Sequence, residues 1–259
     1  MNFQDTVGIV TGGGTGIGRE TSIDLCKAGM KLVIGNRNEE KGNEVVDVIK
    51  QNGGEAKFVR TDVSNPEDVK KLIEYTLNEY GEFQYAFNNS GLLGDLEPIT
   101  SQTPDKSSYI VDVNIKGVIY CLHYEIAAML KYVSPSKPCS IVNNSSILSH
   151  NAYPGITVYS ATKHAVSGLT KGAALELAQS NIRVNAVGPG PIDTPMIQVP
   201  TGGHPEQFGS MVPMNRIGTP KEVSNAVLWL FSNESSYVTG HTLMIDGGYC
   251  AGSLFSPSA

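Results

Sequence analysis

The chain is predicted to fold as an α/β protein, a doubly wound parallel sheet of about seven strands with helices on both faces. Short β-branched runs alternate with helical patterns along the chain, the signature of successive βαβ units. A glycine-rich turn joins the first strand to the first helix. No linker, repeat or low-complexity tract divides the 259 residues, so residues 1–259 read as one domain.

Val7-Gly8-Ile9-Val10 is the first strand. A helix follows from Ile17 to Ala28, and Gly29 suits the position just past its end. Lys31-Leu32-Val33-Ile34 is the second strand, and Asn38 caps a helix to Lys50 with Val45, Val48 and Ile49 on one side. Lys57-Phe58-Val59-Arg60 is the third strand. Asn65-Pro66-Glu67-Asp68 then opens a helix, with Asn as cap, Pro in the first turn and acids near the positive dipole end. Tyr85-Ala86-Phe87 and Ser140-Ile141-Val142 are the fourth and fifth strands, separated by a long apolar helix from Asp112 to Lys131. A helix rich in Ala and Leu runs from Tyr159 to Ala178. Arg183 to Val187 and Thr242 to Ile245 complete the sheet. Between Gly188 and Pro220 the chain is rich in Pro and Gly and carries Met196, Met211 and Met214. Long irregular stretches in small domains usually serve function, so residues 189–218 are expected to be a substrate lid with one or two short helices.

Composition narrows the function classes. Hydrophobic residues make up 40% and charged residues 17%, a globular balance, and the net charge is −6. An acidic chain without basic blocks gives no support to nucleic-acid or membrane binding. No apolar stretch approaches a membrane span, and Met1 to Thr6 lacks the start of a secretory signal. Cys26, Cys121, Cys139 and Cys250 form no paired motif and no metal set, so free thiols in a reducing cytoplasm are expected.

The first turn reads Thr11-Gly12-Gly13-Gly14-Thr15-Gly16-Ile17-Gly18. Gly12 permits a tight turn, Gly16 lets the backbone approach a pyrophosphate, and Gly18 allows close helix packing. The helix N-terminus, with its free N–H groups, holds the anion. The strand before and helix after make this a dinucleotide site, with Gly12, Thr15, Gly16 and Ile17 as contacts. Twenty residues past Gly16 the second strand ends in Gly35-Asn36-Arg37. An acid there usually binds the ribose hydroxyls of NAD; Asn36 has no charge to repel a 2′-phosphate, and Arg37 can pair with one. NADP(H) is favoured on this ground, with NAD(H) the alternative.

Tyr159-Ser160-Ala161-Thr162-Lys163 places Tyr and Lys four apart, on one helix face. A phenol titrates at about 10 and must fall toward about 7 or 8 to exchange protons near neutrality, roughly 3–4 kcal/mol of differential stabilisation. A neighbouring ammonium acts with that sign, so Lys163 is expected to lower Tyr159. The pair would protonate a carbonyl oxygen or deprotonate an alcohol. Alone, such a pair usually marks a solvated face; the phosphate loop changes its meaning.

These motifs, in this order, resemble the short-chain dehydrogenase/reductase family in its single-domain subtype of about 250 residues, with a Rossmann-type fold. The likeness runs from Val7 to Gly248. The glycine turn resembles TGxxxGxG, Asn88-Asn89-Ser90-Gly91 resembles NNAG with Ser90 where Ala is usual, and Tyr159 to Lys163 matches YxxxK. The resemblance implies the other roles. Ser146, thirteen residues before Tyr159, would hold the substrate oxygen, with Ser145 its easily confused neighbour. Asn114 would position a relay water for Lys163, and Lys163 would bind the nicotinamide ribose. Asp62 and Val63 would contact adenine, and Asn88 would lie near the adenosine ribose. In Pro189-Gly190-Pro191-Ile192-Asp193-Thr194, which resembles PGxxxT, Ile192 and Thr194 would hold the carboxamide. A homotetramer built on the long helices is also implied. His164 reads as structural, whereas His150 could line the substrate site or sit on an exposed loop.

The leading function is an NAD(P)-dependent oxidoreductase acting on a carbonyl or secondary alcohol. Sugar or polyol dehydrogenase and acyl-thioester ketoreductase are alternatives in the same family, on a likeness in the stretch Val187 to Gly218 and the ending Val238 to Thr242. A non-enzymatic dinucleotide sensor is the alternative of another class; such relatives lose the Tyr or Lys, and this chain keeps both. The substrate-facing segments Leu92 to Pro98, Ile147 to Tyr153 and Ile192 to Met214 include Tyr153, Phe208 and several Met, which predicts an apolar pocket.

Overall fold

Seven parallel strands form the sheet: β1 (Val7–Thr11), β2 (Lys31–Asn36), β3 (Ala56–Arg60), β4 (Tyr85–Asn88), β5 (Cys139–Asn144), β6 (Ile182–Pro189) and β7 (Thr242–Ile245). Their order is β3-β2-β1-β4-β5-β6-β7, parallel at every junction. The order reverses between β1 and β4, and a crevice opens there beyond the carboxyl ends of the strands. The computed structural model describes residues 1–198 and 201–252. Residues 199 and 200 of the predicted lid and residues 253–259 of the predicted domain lie outside the described residues.

The helices are α1 (Gly16–Lys27), α2 (Glu39–Gln51), α3 (Pro66–Tyr80), α4 (Pro104–Val111), α5 (Gly117–Met129), α6 (Thr157–Leu177), α7 (Pro195–Gln198) and α8 (Pro220–Phe231). Two cores result. Ile23, Val45, Ile34 and Val227 lie in the core that joins α1, α2 and α8 to one face of the sheet. Leu72, Ile141, Val118 and Val166 belong to the other, with α3, α5 and α6. β1 is buried throughout, which is why it reads as a continuous apolar run rather than an alternating one. Each fully buried Ile or Val there adds about 1.5–3 kcal/mol relative to exposure.

Predicted ends and observed ends agree where capping chemistry is local. Asn38 Oδ1 accepts from the Lys41 N–H at 2.9 Å, and Asn65 Oδ1 from the Glu67 N–H at 3.0 Å. Gly29 takes φ +98°, open to glycine at low cost. On α2 the buried residues are Gly42, Val45, Val46 and Ile49, and Val48 is only partly covered.

Three elements depart from expectation. The helix expected from Asp112 begins at Pro104, where Thr103 caps it, and ends at Met129. At Asp112–Lys116 it widens into a π turn, with the Gly117 N–H donating to Asp112 O. The helix expected from Tyr159 begins at Thr157. α8 is a helix the sequence reading did not include. Thr219 and Glu222 form a reciprocal capping box with Pro220 in the first turn, a device worth about 0.5–2 kcal/mol. In the predicted lid, α7 and a 3₁₀ segment at Pro205–Met211 supply the short helices.

Candidate active site

Every predicted cofactor residue except Asn88 lines one cleft of about 520 Å³ at the β1/β4 switch point: Gly12, Thr15, Gly16, Ile17, Asn36, Arg37, Asp62, Val63, Tyr159, Lys163, Pro189, Gly190, Ile192 and Thr194. Ser146 lines it as well. At the phosphate loop, Gly12 has φ +65° and Gly16 φ +53°. A Cβ at Gly18 would stand 2.3 Å from Gly12 O, so glycine lets α1 start directly against the loop. Thr15 sits at the N-cap of α1 but makes no side-chain cap bond, which leaves its hydroxyl and the first N–H groups of α1 for an anion. These features fit a pyrophosphate.

At the far end of the cleft, Asn36 Nδ2 donates to Asn38 O at 2.7 Å. Arg37 reaches across and donates to the Tyr109 hydroxyl on α4. Lys41, in the first turn of α2, also lines this end. Neither Tyr109 nor Lys41 was among the predicted contacts; the Asn38 cap signalled Lys41, whereas Tyr109 is brought in only by the tertiary fold. Asp62 Oδ1 accepts from the Ser64 N–H and hydroxyl at 3.0 and 2.6 Å, which fixes the turn after β3. Val63 is buried, and a Cβ at Gly117 would stand 2.8 Å from it.

Asn88 requires a correction. It is 2% exposed and points away from the cleft, donating to Glu125 Oε2 and Asn143 Oδ1, each at 3.0 Å. Its successors Asn89, Ser90 and Gly91 form the cleft wall. Asn89 Nδ2 donates to Thr11 O and Gly12 O, both at 3.1 Å, and so ties this wall to the phosphate loop.

Tyr159 and Lys163 lie one turn apart on α6, and both are buried. Ser145 and Ser146 divide their tasks. Ser145 Oγ donates to Lys163 O at 3.1 Å and pairs with Ser167, so it is turned into the α6 backbone. Ser146 Oγ accepts from the Leu148 N–H at 3.1 Å and caps a short 3₁₀ turn facing Tyr159. Asn114 sits within the π turn. It accepts from the Leu92 N–H at 2.9 Å and donates to Leu92 O at 2.9 Å and Thr162 Oγ1 at 3.1 Å. A Cβ at Gly91 would lie 3.4 Å from Asn114 Oδ1 and 3.6 Å from Lys163 Nζ, so glycine leaves space between them.

The expectation that Lys163 lowers Tyr159 does not hold. Burial pushes the phenol up to about 12, opposed only by the Ser146 hydroxyl. The ammonium donates to Asn144 O at 2.7 Å and lies 5.5 Å from the Tyr159 ring centroid, over the ring face. Burial without a carboxylate partner instead brings Lys163 itself from 10.5 down to about 8. Lys163 is therefore the group of the pair that titrates near neutrality.

The cleft is also lined by Leu93, Leu96, Tyr153, Ile156, Phe208 and Met211, in segments expected to face substrate, with Tyr249 from the C-terminal turn. Among the described residues, Lys163 is the charged side chain nearest this half; Arg37, Lys41 and Asp62 line the cofactor half. His150 is exposed and bonded to the Ser149 hydroxyl, so of its two readings the exposed loop holds. His164 Nδ1 lies 2.9 Å from Ser160 O, one turn back on α6. Among the described residues no group of three His, Cys, Asp or Glu could hold a metal ion, and no helix is long and apolar enough to cross a membrane.

A strand–glycine turn–helix at the switch point, facing a buried Ser, Tyr and Lys, defines a nicotinamide-dependent oxidoreductase site. Residues 12–250 match a family profile described as enoyl-(acyl carrier protein) reductase. Cyclohexanol dehydrogenase of Acinetobacter sp. is 36% identical over 247 residues, 95% of this chain and 96% of that one. A 3-oxoacyl-(acyl-carrier-protein) reductase of Thermotoga maritima is 34% identical, covering 96% of this chain and 99% of its own. Among solved structures, levodione reductase superposes with a TM-score of 0.91 at 30% identity, over 97% of this chain and 100% of that one. A 3-ketoacyl-(acyl-carrier-protein) reductase from Brucella melitensis complexed with NADH does so at 0.90 and 30%, over 96% and 100%. The chain belongs to the short-chain dehydrogenase/reductase family. It is an NAD(P)-dependent oxidoreductase of carbonyl and CH–OH groups.

Proposed function

We propose that Tyr159, Lys163, Ser146 and Asn114 carry the proton chemistry, and that the substrate is an uncharged, largely apolar ketone or secondary alcohol. A bound nicotinamide supplies or accepts the hydride. Ser146 holds the substrate oxygen beside the Tyr159 hydroxyl, which donates its proton during reduction and takes it back during oxidation. Burial keeps Tyr159 protonated until about pH 12, which suits it as the acid. Lys163 holds the nicotinamide ribose and exchanges protons with the phenol, and the gap at Gly91 leaves room for a relay water toward Asn114.

The phosphate loop holds the pyrophosphate through Gly12, Thr15, Gly16 and Ile17. Ile192 and Thr194 hold the carboxamide, and Asp62 and Val63 border the adenine. Arg37 and Lys41, with the uncharged Asn36 between the strand and α2, favour NADP(H) over NAD(H). Residues 1–252 act as one domain with 189–218 as its lid. Ile119 at 41% and Leu175 at 80% exposure, with the open faces of Gly168 and Gly172, support association into a homotetramer through α5 and α6. The free cysteines fit the reducing cytoplasm that the sequence suggests.

The observation that carries the reading is the buried Ser146–Tyr159–Lys163 set at the inner end of the glycine-loop cleft. Coenzyme oxidation over a panel of cyclic ketones, sugars and acyl thioesters tests it. Ketones should turn over and Tyr159→Phe should lose about 10²–10⁴-fold in kcat while still binding coenzyme. Full activity in Tyr159→Phe would overturn the mechanism, and preference for sugars would overturn the substrate class.

A further inference from the structure

One buried acid has no part in the chemistry above. Glu125 on α5 is 1% exposed, and none of the ion pairs among the described residues includes it. Its Oε2 accepts from Asn88 Nδ2 at 3.0 Å. The same amide donates to Asn143 Oδ1 at 3.0 Å, and Asn143 Nδ2 donates to Thr170 Oγ1 at 3.0 Å. Asn88 Oδ1 is buried without a partner, so the amide is fixed through its donors alone. β4 thus brings a neutral amide to Glu125, backed by Asn143 of β5 and Thr170 of α6, and α3 brings Leu72 and Ile73 to the shared core. The titratable neighbours that feel its charge are Cys121, one turn earlier on α5, and Tyr132 beyond the helix.

Burial pushes the carboxyl up from 4.5 to about 7, with only the Asn88 bond opposing. Because the folded form keeps its proton to higher pH than the unfolded chain, stability falls as pH rises from 4.5 to about 7. An amide or apolar side chain would avoid that loss. The acid therefore does not serve stability, and its one bond leads to Asn88, the residue just before the cleft wall.

We propose that Glu125 is a positioning residue for coenzyme binding: through Asn88 it sets the Asn88-Asn89-Ser90-Gly91 turn. That turn reaches both halves of the cleft. Asn89 bonds the phosphate-loop carbonyls of Thr11 and Gly12, and Gly91 borders Asn114 and Lys163. The ionised carboxylate grips the Asn88 N–H more strongly than the neutral acid does, since charge-assisted bonds are about twice as strong. The proposal rests on the reading of the cleft as a dinucleotide site.

Glu125→Gln keeps an acceptor oxygen for Asn88 and removes the titration. NADPH and NADH affinities are measured by fluorescence titration from pH 6 to 8, and melting of the coenzyme-free protein from pH 5 to 8. Wild-type affinity should tighten by about five-fold more than that of the variant across this range, the difference between a charged and a neutral bond. The effect should fall on Kd and coenzyme KM rather than kcat. The variant should gain thermal stability on the wild type as pH rises. Asn88→Ser, with Glu125 intact, should abolish the same pH-dependent difference, and combining the two should add nothing further. Identical pH dependence of Kd in wild type and Glu125→Gln would overturn the positioning role and leave the dinucleotide reading standing. Failure of the wild type to bind either coenzyme would overturn both.

Discussion

Replacing Lys163 with Met should make the coenzyme-free protein more stable while removing its activity. Lys163 is 4% exposed, without a carboxylate partner, and titrates at about 8 against an ordinary 10.5. That difference corresponds to about 3 kcal/mol, at about 1.4 kcal/mol per tenfold change in equilibrium. The unfolded chain keeps the lysine proton up to 10.5 whereas the folded chain releases it at about 8. The unfolded state therefore binds more protons across that window, and wild-type stability rises with pH through it. Below it, the fold bears the full cost of a buried ammonium. Met fills the same space without charge, but leaves Asn144 O without its 2.7 Å donor, a loss of about 1 kcal/mol. The net gain at pH 7 is about 2 kcal/mol, or about 4–8 °C in Tm for a chain of this size. Melting curves without coenzyme, at one protein concentration because association shifts Tm, measure it. The gap should close as pH approaches 10.5. A variant that melts at or below the wild type at pH 7, or a gap that does not change with pH, would refute the reasoning.

The same lysine sets a pH profile: alcohol oxidation should rise through about pH 8 as Lys163 becomes able to accept a proton, and carbonyl reduction should fall. Opposite slopes in initial-rate measurements would sink this. Gly91→Ala places a methyl in ordinary contact at 3.4–3.6 Å, so stability should change by less than about 0.5 kcal/mol. It narrows the gap beside Lys163, so kcat should drop about tenfold or more, and unchanged kcat would remove the relay. Arg37→Ala should erase a preference for NADPH. Tyr109→Phe, by releasing the Arg37 guanidinium, should increase that preference, which paired Kd measurements with NADPH and NADH will show.

What was legible in the sequence follows from how local its causes are. Asn38, Asn65 and Gly29 mark helix ends within their own turns, so those ends were read correctly. Ser146 could be told from Ser145 by its gap to Tyr159, and the fold gives the reason: Ser145 is held by the α6 backbone. The start of α4 and all of α8 were missed although Thr103-Pro104 and Thr219-Pro220 carry cap signals; the second pair sits at the end of the Pro- and Gly-rich stretch from Gly188 to Pro220. Asn88 was placed near the adenosine ribose on the family resemblance alone. Strand alternation puts it on the side of Ala86, which packs with α3, α5 and α6, so its side chain faces Glu125. The pairing of Tyr159 with Lys163 was visible as spacing, but spacing does not show how deeply the two are buried, and burial raises the phenol and lowers the ammonium. The Arg37–Tyr109 contact joins residues 72 apart, and no local pattern announces it.

The π turn at Asp112–Lys116 has a consequence for redesign of the chain. Each residue of an α-helix advances the facing direction by about 100°, so one extra residue in a turn resets every side chain beyond it. The stripe that α5 lays against the sheet and the stripe that α4 shows to the cleft are thus phased independently, with Asn114 at the join. Deleting one residue between 112 and 116 would restore a regular rod with better backbone bonding, and would bring one stripe or the other, and Asn114 with it, out of phase. Repair of the helix and retention of the site pull in opposite directions, so a stabilising deletion there is the change most apt to leave a well-folded and inactive protein.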